Sequence, residues 1–216
     1  MKTHEVIRTK VGLQNAMEDM VDRLHRKRFS SLLIISDLGH ATALARRLAA
    51  QVPSPSGKDE ESLAFRYEQA GLTRKPKVPP FRAPHYTVSQ AAMLGKAGKR
   101  GHINLGELAL ANAGTLFLDE VTEFRFSIID RTLKAIQEGE VDFFIEELDA
   151  LVRVLSRPHL LIASMWGQEL AMKTAKKRLD DIMGLIGFDA IWELEGAALN
   201  KTGAVSAVLD DWPTWP

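Results

Sequence analysis

The sequence predicts an α/β fold on three observations. Nearly unbroken apolar runs of strand length recur along the chain. Helix-forming segments separate them, and prolines and glycines punctuate the joins. The runs Leu32-Leu33-Ile34-Ile35, Thr115 to Asp119 and His159 to Ser164 lack the polar alternation of a half-solvated sheet. They read as strands covered on both faces. The expected architecture is a three-layer sandwich, with a mostly parallel central sheet flanked by helices.

The elements follow in order. Leu13, Met17, Met20, Val21 and Leu24 recur at helical spacing, so residues 13–28 form an amphipathic helix. The strand 32–35 comes next, then a turn from Ser36 to His40. Ala41 to Val52 is rich in helix formers and is stopped by Pro53 and Pro55. This strand–turn–helix unit is the building block of α/β folds. Residues 53–60 are a polar loop and 60–71 a short helix. After the strand 115–119, a helix runs from Ser127 to Glu138 and is turned by Gly139. The third buried strand is 159–164. A helix spans 168–183, and Ala190 to Leu194 forms a fourth strand. Phe188 and Trp192 read as core. The chain divides into an N-terminal helical segment (1–28), an α/β core (29–195) and a short C-terminal tail (196–216).

Composition excludes several functions. The 216 residues contain no cysteine, which removes disulfides, thiolate metal sites and thiol catalysis. Lys+Arg and Asp+Glu both number 28, so no uniform field draws the chain to nucleic acid. No apolar run reaches the ~18–20 residues that span a bilayer. The N-terminus lacks the apolar stretch of a signal peptide, and a soluble cytoplasmic protein is the expectation, with no membrane partner. The charges are nevertheless segregated. Residues 71–106 contain no acidic residue and carry Arg74, Lys75, Lys77, Arg82, Lys96, Lys99 and Arg100, with Phe81 and Tyr86 among them. Residues 138–149 carry Glu138, Glu140, Asp142, Glu146, Glu147 and Asp149 and no basic residue.

The strongest local signal for chemistry is Leu116-Phe117-Leu118-Asp119-Glu120. Ionised carboxylates at the end of a buried strand are costly unless something pairs them. In a nucleotide hydrolase the first carboxylate holds Mg²⁺ and the second orients or deprotonates water. The plainer reading is a strand whose end simply reaches solvent.

The surrounding words favour the first reading. Phe81-Arg82-Ala83-Pro84-His85 is followed by Ser89-Gln90-Ala91-Ala92-Met93-Leu94-Gly95. Then comes Gly106-Glu107-Leu108-Ala109-Leu110-Ala111-Asn112-Ala113-Gly114, which leads into the LFLDE strand and Glu123-Phe124. In this order they resemble the magnesium-chelatase subunit I / ComM (YifB-like) branch of the AAA+ ATPases. The likeness runs from about residue 29 to 195. It implies a P-loop NTPase (AAA+) fold with strand order 5-1-4-3-2, ATP and Mg²⁺ as cofactors, and assembly with other AAA+ subunits or protein partners. Asp119 would be the Mg²⁺ carboxylate and Glu120 the catalytic one. The family's lid and its N-terminal Lon-protease-like domain find no counterpart, leaving an AAA+ core alone.

The departures concern the nucleotide. A P-loop reads G-x-x-x-x-G-K-[ST]. Aligned on Ala45-Arg46-Arg47-Leu48, this chain offers Ile35-Ser36-Asp37-Leu38-Gly39-His40-Ala41-Thr42. Ile35 and His40 replace the motif glycines, and Ala41 replaces the lysine. Thr42, the Mg²⁺-associated hydroxyl, remains. Residues 39–42 thus form a degenerate phosphate-binding loop. Asp37 adds a like charge beside an anion. Lys96 to Arg100 lie in a glycine-containing loop, but it lacks the motif's first glycine and final Ser/Thr. Trp166 stands where a polar sensor residue is implied, and Gly187 where an arginine finger is implied.

Two functions are therefore expected. One is a non-hydrolysing AAA+ homologue that binds protein partners or joins a ring of active relatives. The other is an active ATP-dependent DNA-remodelling or chelatase-like AAA+ ATPase with an atypical P-loop. Residues 71–106 would contact single-stranded DNA on the second reading, or face a neighbouring subunit or solvent. The acidic stretch falls where helicase-like relatives place a pore hairpin and would repel phosphate. Opposite charge on the two stretches suits protein–protein complementarity. His85 is expected to serve packing or an interface, and Asp180-Asp181 and Asp210-Asp211 to be solvated cap or loop residues.

Overall fold

A computed structural model describes residues 3–8, 10–26, 29–36, 40–72 and 79–194. Its centre is a six-stranded sheet. The strands are β1 (Thr3–Ile7), β2 (Ser30–Ile35), β3 (Phe81–Arg82), β6 (Thr115–Leu118), β9 (Leu160–Met165) and β10 (Ala190–Leu194). They lie in the order β1-β10-β2-β9-β6-β3, and every neighbouring pair is parallel. Counted from β2, the last five give the order 5-1-4-3-2.

Every residue of β2, β6 and β9 is buried, which is why their sequences are mostly apolar, with Ser30, Ser31, Thr115 and Ser164 as the polar exceptions. Side chains alternate across the pleat and so divide between two cores. Leu32, Ile34, Phe117 and Ile162 pack with Leu13, Met17, Leu44 and Leu48. Those partners come from α1 (Lys10–Arg26) and α2 (His40–Ala49). Leu33, Ile35, Leu116, Leu118 and Leu161 face the other way. They meet Ile128, Ile129, Leu133 and Ile182, from α6 (Phe126–Glu138) and α7 (Lys173–Ile186). These are the three layers. Phe188 and Trp192 are buried, one in each core.

The remaining elements are peripheral to the sheet. Helices α3 (Lys58–Gln69), α4 (Gln90–Leu94) and α5 (Glu107–Leu110) lie around β3 in sequence. Two antiparallel hairpins project from the sandwich. One is β4 (Gly95–Ala97) with β5 (Ile103–Leu105); the other is β7 (Glu140–Ile145) with β8 (Ala150–Leu155). Gly139 is left-handed, with φ 78°, and its N–H closes α6 on the Ala135 carbonyl.

Three expectations need correction. Residues 1–28 are not helical throughout, because Thr3–Ile7 adds a parallel edge strand beside β10. The helix expected over 168–183 is a 3-10 turn at Gly167–Ala171 followed by α7. Met172, with φ −87° and ψ 120°, is extended and separates the two. Asp180 and Asp181 lie on the exposed face of α7, solvated but in neither cap nor loop. Asp210, Asp211 and the tail 196–216 lie outside the described residues.

Candidate nucleotide site

The parallel register brings the C-terminal ends of β2, β9 and β6 together. Ile35 pairs with Met165, and Leu118 with Ala163. Asp119 leaves β6 beside Ser164 of β9. The Ser164 Oγ donates to Asp119 Oδ1 at 2.5 Å and accepts from the Glu120 backbone N–H at 3.1 Å. Thr42, in the first turn of α2, donates from Oγ1 to Asp119 Oδ2 at 3.2 Å. One carboxylate is thus held by two hydroxyls from two elements, while Asp119 itself is exposed, so this strand end both reaches solvent and is hydrogen-bonded.

Glu120 sits in the left-handed region, with φ 54° and ψ 55°. That conformation costs a non-glycine residue about 1–2 kcal/mol. The Ser164 hydroxyl offsets part of it by fixing the Glu120 N–H. Backbone strain of this kind concentrates at functional sites.

Ser164 is the site residue that sequence reasoning missed. The resemblance implies a polar sensor residue at the position of Trp166, which is exposed just after β9. The available signal was a hydroxyl inside an otherwise apolar, fully covered strand. Most buried hydroxyls have a hydrogen-bond partner, although Ser30 and Thr115, in the neighbouring strands, are buried without one.

The phosphate side of the site is different. Gly39, with Asp37 and Leu38, lies outside the described residues. His40 is half-buried as the first residue of α2. Ala41 is 4% exposed, and its methyl packs in the core with Leu44 and Leu48. Ala41 is the residue at the position where the resemblance implies a lysine. Among the described residues, position 41 therefore offers a phosphate no charged hydrogen bond, an interaction that contributes about 1.5–3 kcal/mol. Mg²⁺ fits in part. Asp119 and Thr42 are oxygen donors in contact with each other, and such an ion ordinarily adds substrate phosphates and water to its shell. No cluster of three or more metal-ligating His, Asp or Glu side chains occurs among the described residues.

Gly187 has a structural role. It is left-handed, with φ 59°, and its N–H donates to the Met183 carbonyl at 3.0 Å. This is a helix C-cap, a place that favours glycine and disfavours arginine.

The motif words lock onto one another. Arg82, from FRAPH, grips Glu107, from GELAL, through Nε–Oε2 at 2.6 Å and Nη2–Oε1 at 2.8 Å. The hydrogen bond to Glu107 is the main cause that raises the Arg82 pKa above its ordinary value. Beside it, burial raises the Tyr67 phenol pKa, and Tyr67 donates to the Leu110 carbonyl. Arg66 is buried and donates through Nη1 to the carbonyls of Ala109 and Leu155. Desolvation lowers its pKa. It ties α3 to α5 and to the base of the β7–β8 hairpin. His85 is exposed, its ring tilted 33° against Tyr86 with centres 4.1 Å apart, and hydrogen-bonded to Thr87.

The basic and acidic stretches meet inside one chain. The Arg100 backbone N–H donates to Glu147 Oε1 at 3.2 Å. A Cβ on Gly95 would lie 2.9 Å from Phe143 Cζ, and one on Gly101 would lie 3.1 Å from Leu148 Cδ1. Lys96 and Lys99 share a cleft with Glu146 and Glu147. The two stretches thus lie side by side within the chain. Arg74, Lys75 and Lys77 lie outside the described residues.

Comparison with known proteins supports the fold. The family model described as magnesium chelatase, subunit ChlI, matches residues 30–165. The uncharacterised protein YifB of Escherichia coli is 30% identical over 142 residues, covering 60% of this chain and 28% of YifB. Competence protein ComM of Haemophilus influenzae is 36% identical over 85 residues, covering 39% of this chain and 16% of ComM. The chain thus spans less than a third of the length of these curated relatives. Among solved structures, the complex between subunits BchI and BchD of magnesium chelatase matches with TM-score 0.61 and 20% identity. That match covers 90% of this chain and 62% of the other, and it shows the shared fold. No helix among the described residues is long and apolar enough to cross a membrane.

Proposed function

Because the chain belongs to the magnesium chelatase subunit ChlI family, we infer that it is an AAA+ core with a degraded ATP site. Its role is that of a non-hydrolysing interaction or ring subunit. The carrying observation is Ala41, whose methyl is sunk in the core where the family resemblance implies a phosphate-binding lysine. His40 and Gly187, at places implied for a loop glycine and an arginine finger, support the same reading. In related phosphoryl-transfer enzymes an arginine finger contributes about 10³–10⁵ in rate. BchI and BchD form a complex of magnesium chelatase subunits. An assembly with another AAA+ subunit is the corresponding proposal for this chain.

One observation favours the second reading, an active ATPase. The Thr42–Asp119–Ser164 triangle keeps its hydrogen bonds. A restored loop discriminates between the two. On the first reading His40→Gly with Ala41→Lys gains Mg-ATP binding, seen as thermal stabilisation by ATP that the wild type lacks. Equal stabilisation of both proteins would sink the first reading.

A further inference from the structure

The β7–β8 hairpin exposes apolar surface that the core does not use. Its register sets Phe144 opposite Leu151 on the outward face. Phe144 is 54% exposed, Leu151 53%, and Leu148 at the tip 63%. The inward face is complete without them, because Phe143 and Ile145 are buried there. Clustered exposure of large side chains marks an interaction surface. Its foundation is firm: Phe143 lies against Gly95 and Leu148 against Gly101. Pre-ordered side chains lose less entropy on binding.

The charge around the patch selects the partner. Arg153 lies 3.6 Å from Glu140 and 3.5 Å from Asp142, offsetting the acids at the base. Glu146, Glu147 and Asp149 at the tip are exposed, with Lys96 and Lys99 across the cleft from the first two. Acids beside the apolar residues repel nucleic-acid phosphate. A second copy in two-fold contact would set like charge on like charge. The chain's own 195–216 segment ends in Asp-Asp-Trp-Pro-Thr-Trp-Pro and brings further acid.

We propose that this face docks a partner polypeptide segment carrying Lys or Arg beside large apolar side chains. Apolar contact supplies affinity, and the acidic tip supplies selectivity and association rate. The proposal names the partner chemistry for the interaction role argued above and rests on that role.

The test is fluorescence anisotropy of a labelled peptide alternating lysine with leucine, titrated with the full chain without nucleotide. Controls are a lysine–serine peptide, a glutamate–leucine peptide and a single-stranded oligonucleotide. Saturable binding of the lysine–leucine peptide alone is expected. Phe144→Ser with Leu151→Ser should weaken it about tenfold or more. Glu146→Lys with Glu147→Lys should weaken it and flatten its salt dependence. An unchanged melting temperature shows that each variant is folded. No binding by the folded wild type overturns the proposal, as do unchanged affinity in both variants and equal capture of the lysine–serine peptide. Preference for the oligonucleotide, or a concentration-dependent dimer abolished by the apolar variant, overturns it by assigning the face to another occupant. ATP binding is read separately, so a functional nucleotide site would refute the pseudo-ATPase reading and leave the peptide result intact.

Discussion

Arg82→Ala should destabilise the domain through one identifiable contact. Arg82 and Glu107 make two charge-assisted hydrogen bonds, at 2.6 and 2.8 Å. Each such bond contributes about 1.5–3 kcal/mol to stability. The side chains are 26% and 25% exposed, so water screens them only in part, and the pair's coupling falls to about 2 kcal/mol. Removing Arg82 alone also strands a half-buried carboxylate, giving a loss of about 2–3 kcal/mol. For a domain of this size that lowers the melting temperature by about 4–12 °C. The assay is urea and thermal unfolding of Arg82→Ala, Glu107→Ala and the double variant. The double variant should be less destabilised than the sum of the singles by about 2 kcal/mol. A coupling below about 0.5 kcal/mol would refute the claim that this pair fastens the FRAPH and GELAL words together.

Three further predictions concern other elements. Ser164→Ala should cost about 1–3 kcal/mol, by leaving the Glu120 N–H and Asp119 Oδ1 without their partner; chemical denaturation against Thr42→Val checks it. Gly114→Ala should cost over about 3 kcal/mol, because its Cβ would meet the backbone Pro80 oxygen at 2.2 Å. Gly139→Ala should lose less, about 1–2 kcal/mol for the left-handed φ plus the Arg157 Nε hydrogen bond to the Gly139 carbonyl that its Cβ would displace, and melting temperatures rank the two. In a Tyr86→Phe background, Tyr67 is the one tyrosine of the two in the chain. Its tyrosinate absorbance should titrate above the ordinary phenol pKa of about 10, because burial raises it. The folded state then holds that proton more tightly than the unfolded one. The associated stability is complete below about pH 10 and lost as pH rises through the folded pKa, and Tyr67→Phe should remove that alkaline loss.

The sheet was legible because burial on both faces leaves a simple record. The strands β2, β6 and β9 are mostly apolar, and the turn residues around them have local causes. Other parts are set by distant contacts. Gly95-Lys96-Ala97 has no strand pattern, and its strand exists through pairing with Asn104 and its neighbours. In β7, alternating acids concealed an apolar inward face that only the hairpin register reveals. β1 is short and gains its place by pairing with β10, far away in sequence. Asp119 and Thr42 were readable from motif spacing. Ser164 was not, because its role depends on which strand lies beside β6.

The central claim is that this family core no longer holds ATP in the ordinary way. Calorimetric titration of ATP with Mg²⁺ into the wild type and Asp119→Ala tests it most directly. The account predicts no binding heat in either protein up to millimolar nucleotide. Micromolar binding by the wild type, abolished by Asp119→Ala, would contradict it and show a rebuilt nucleotide site.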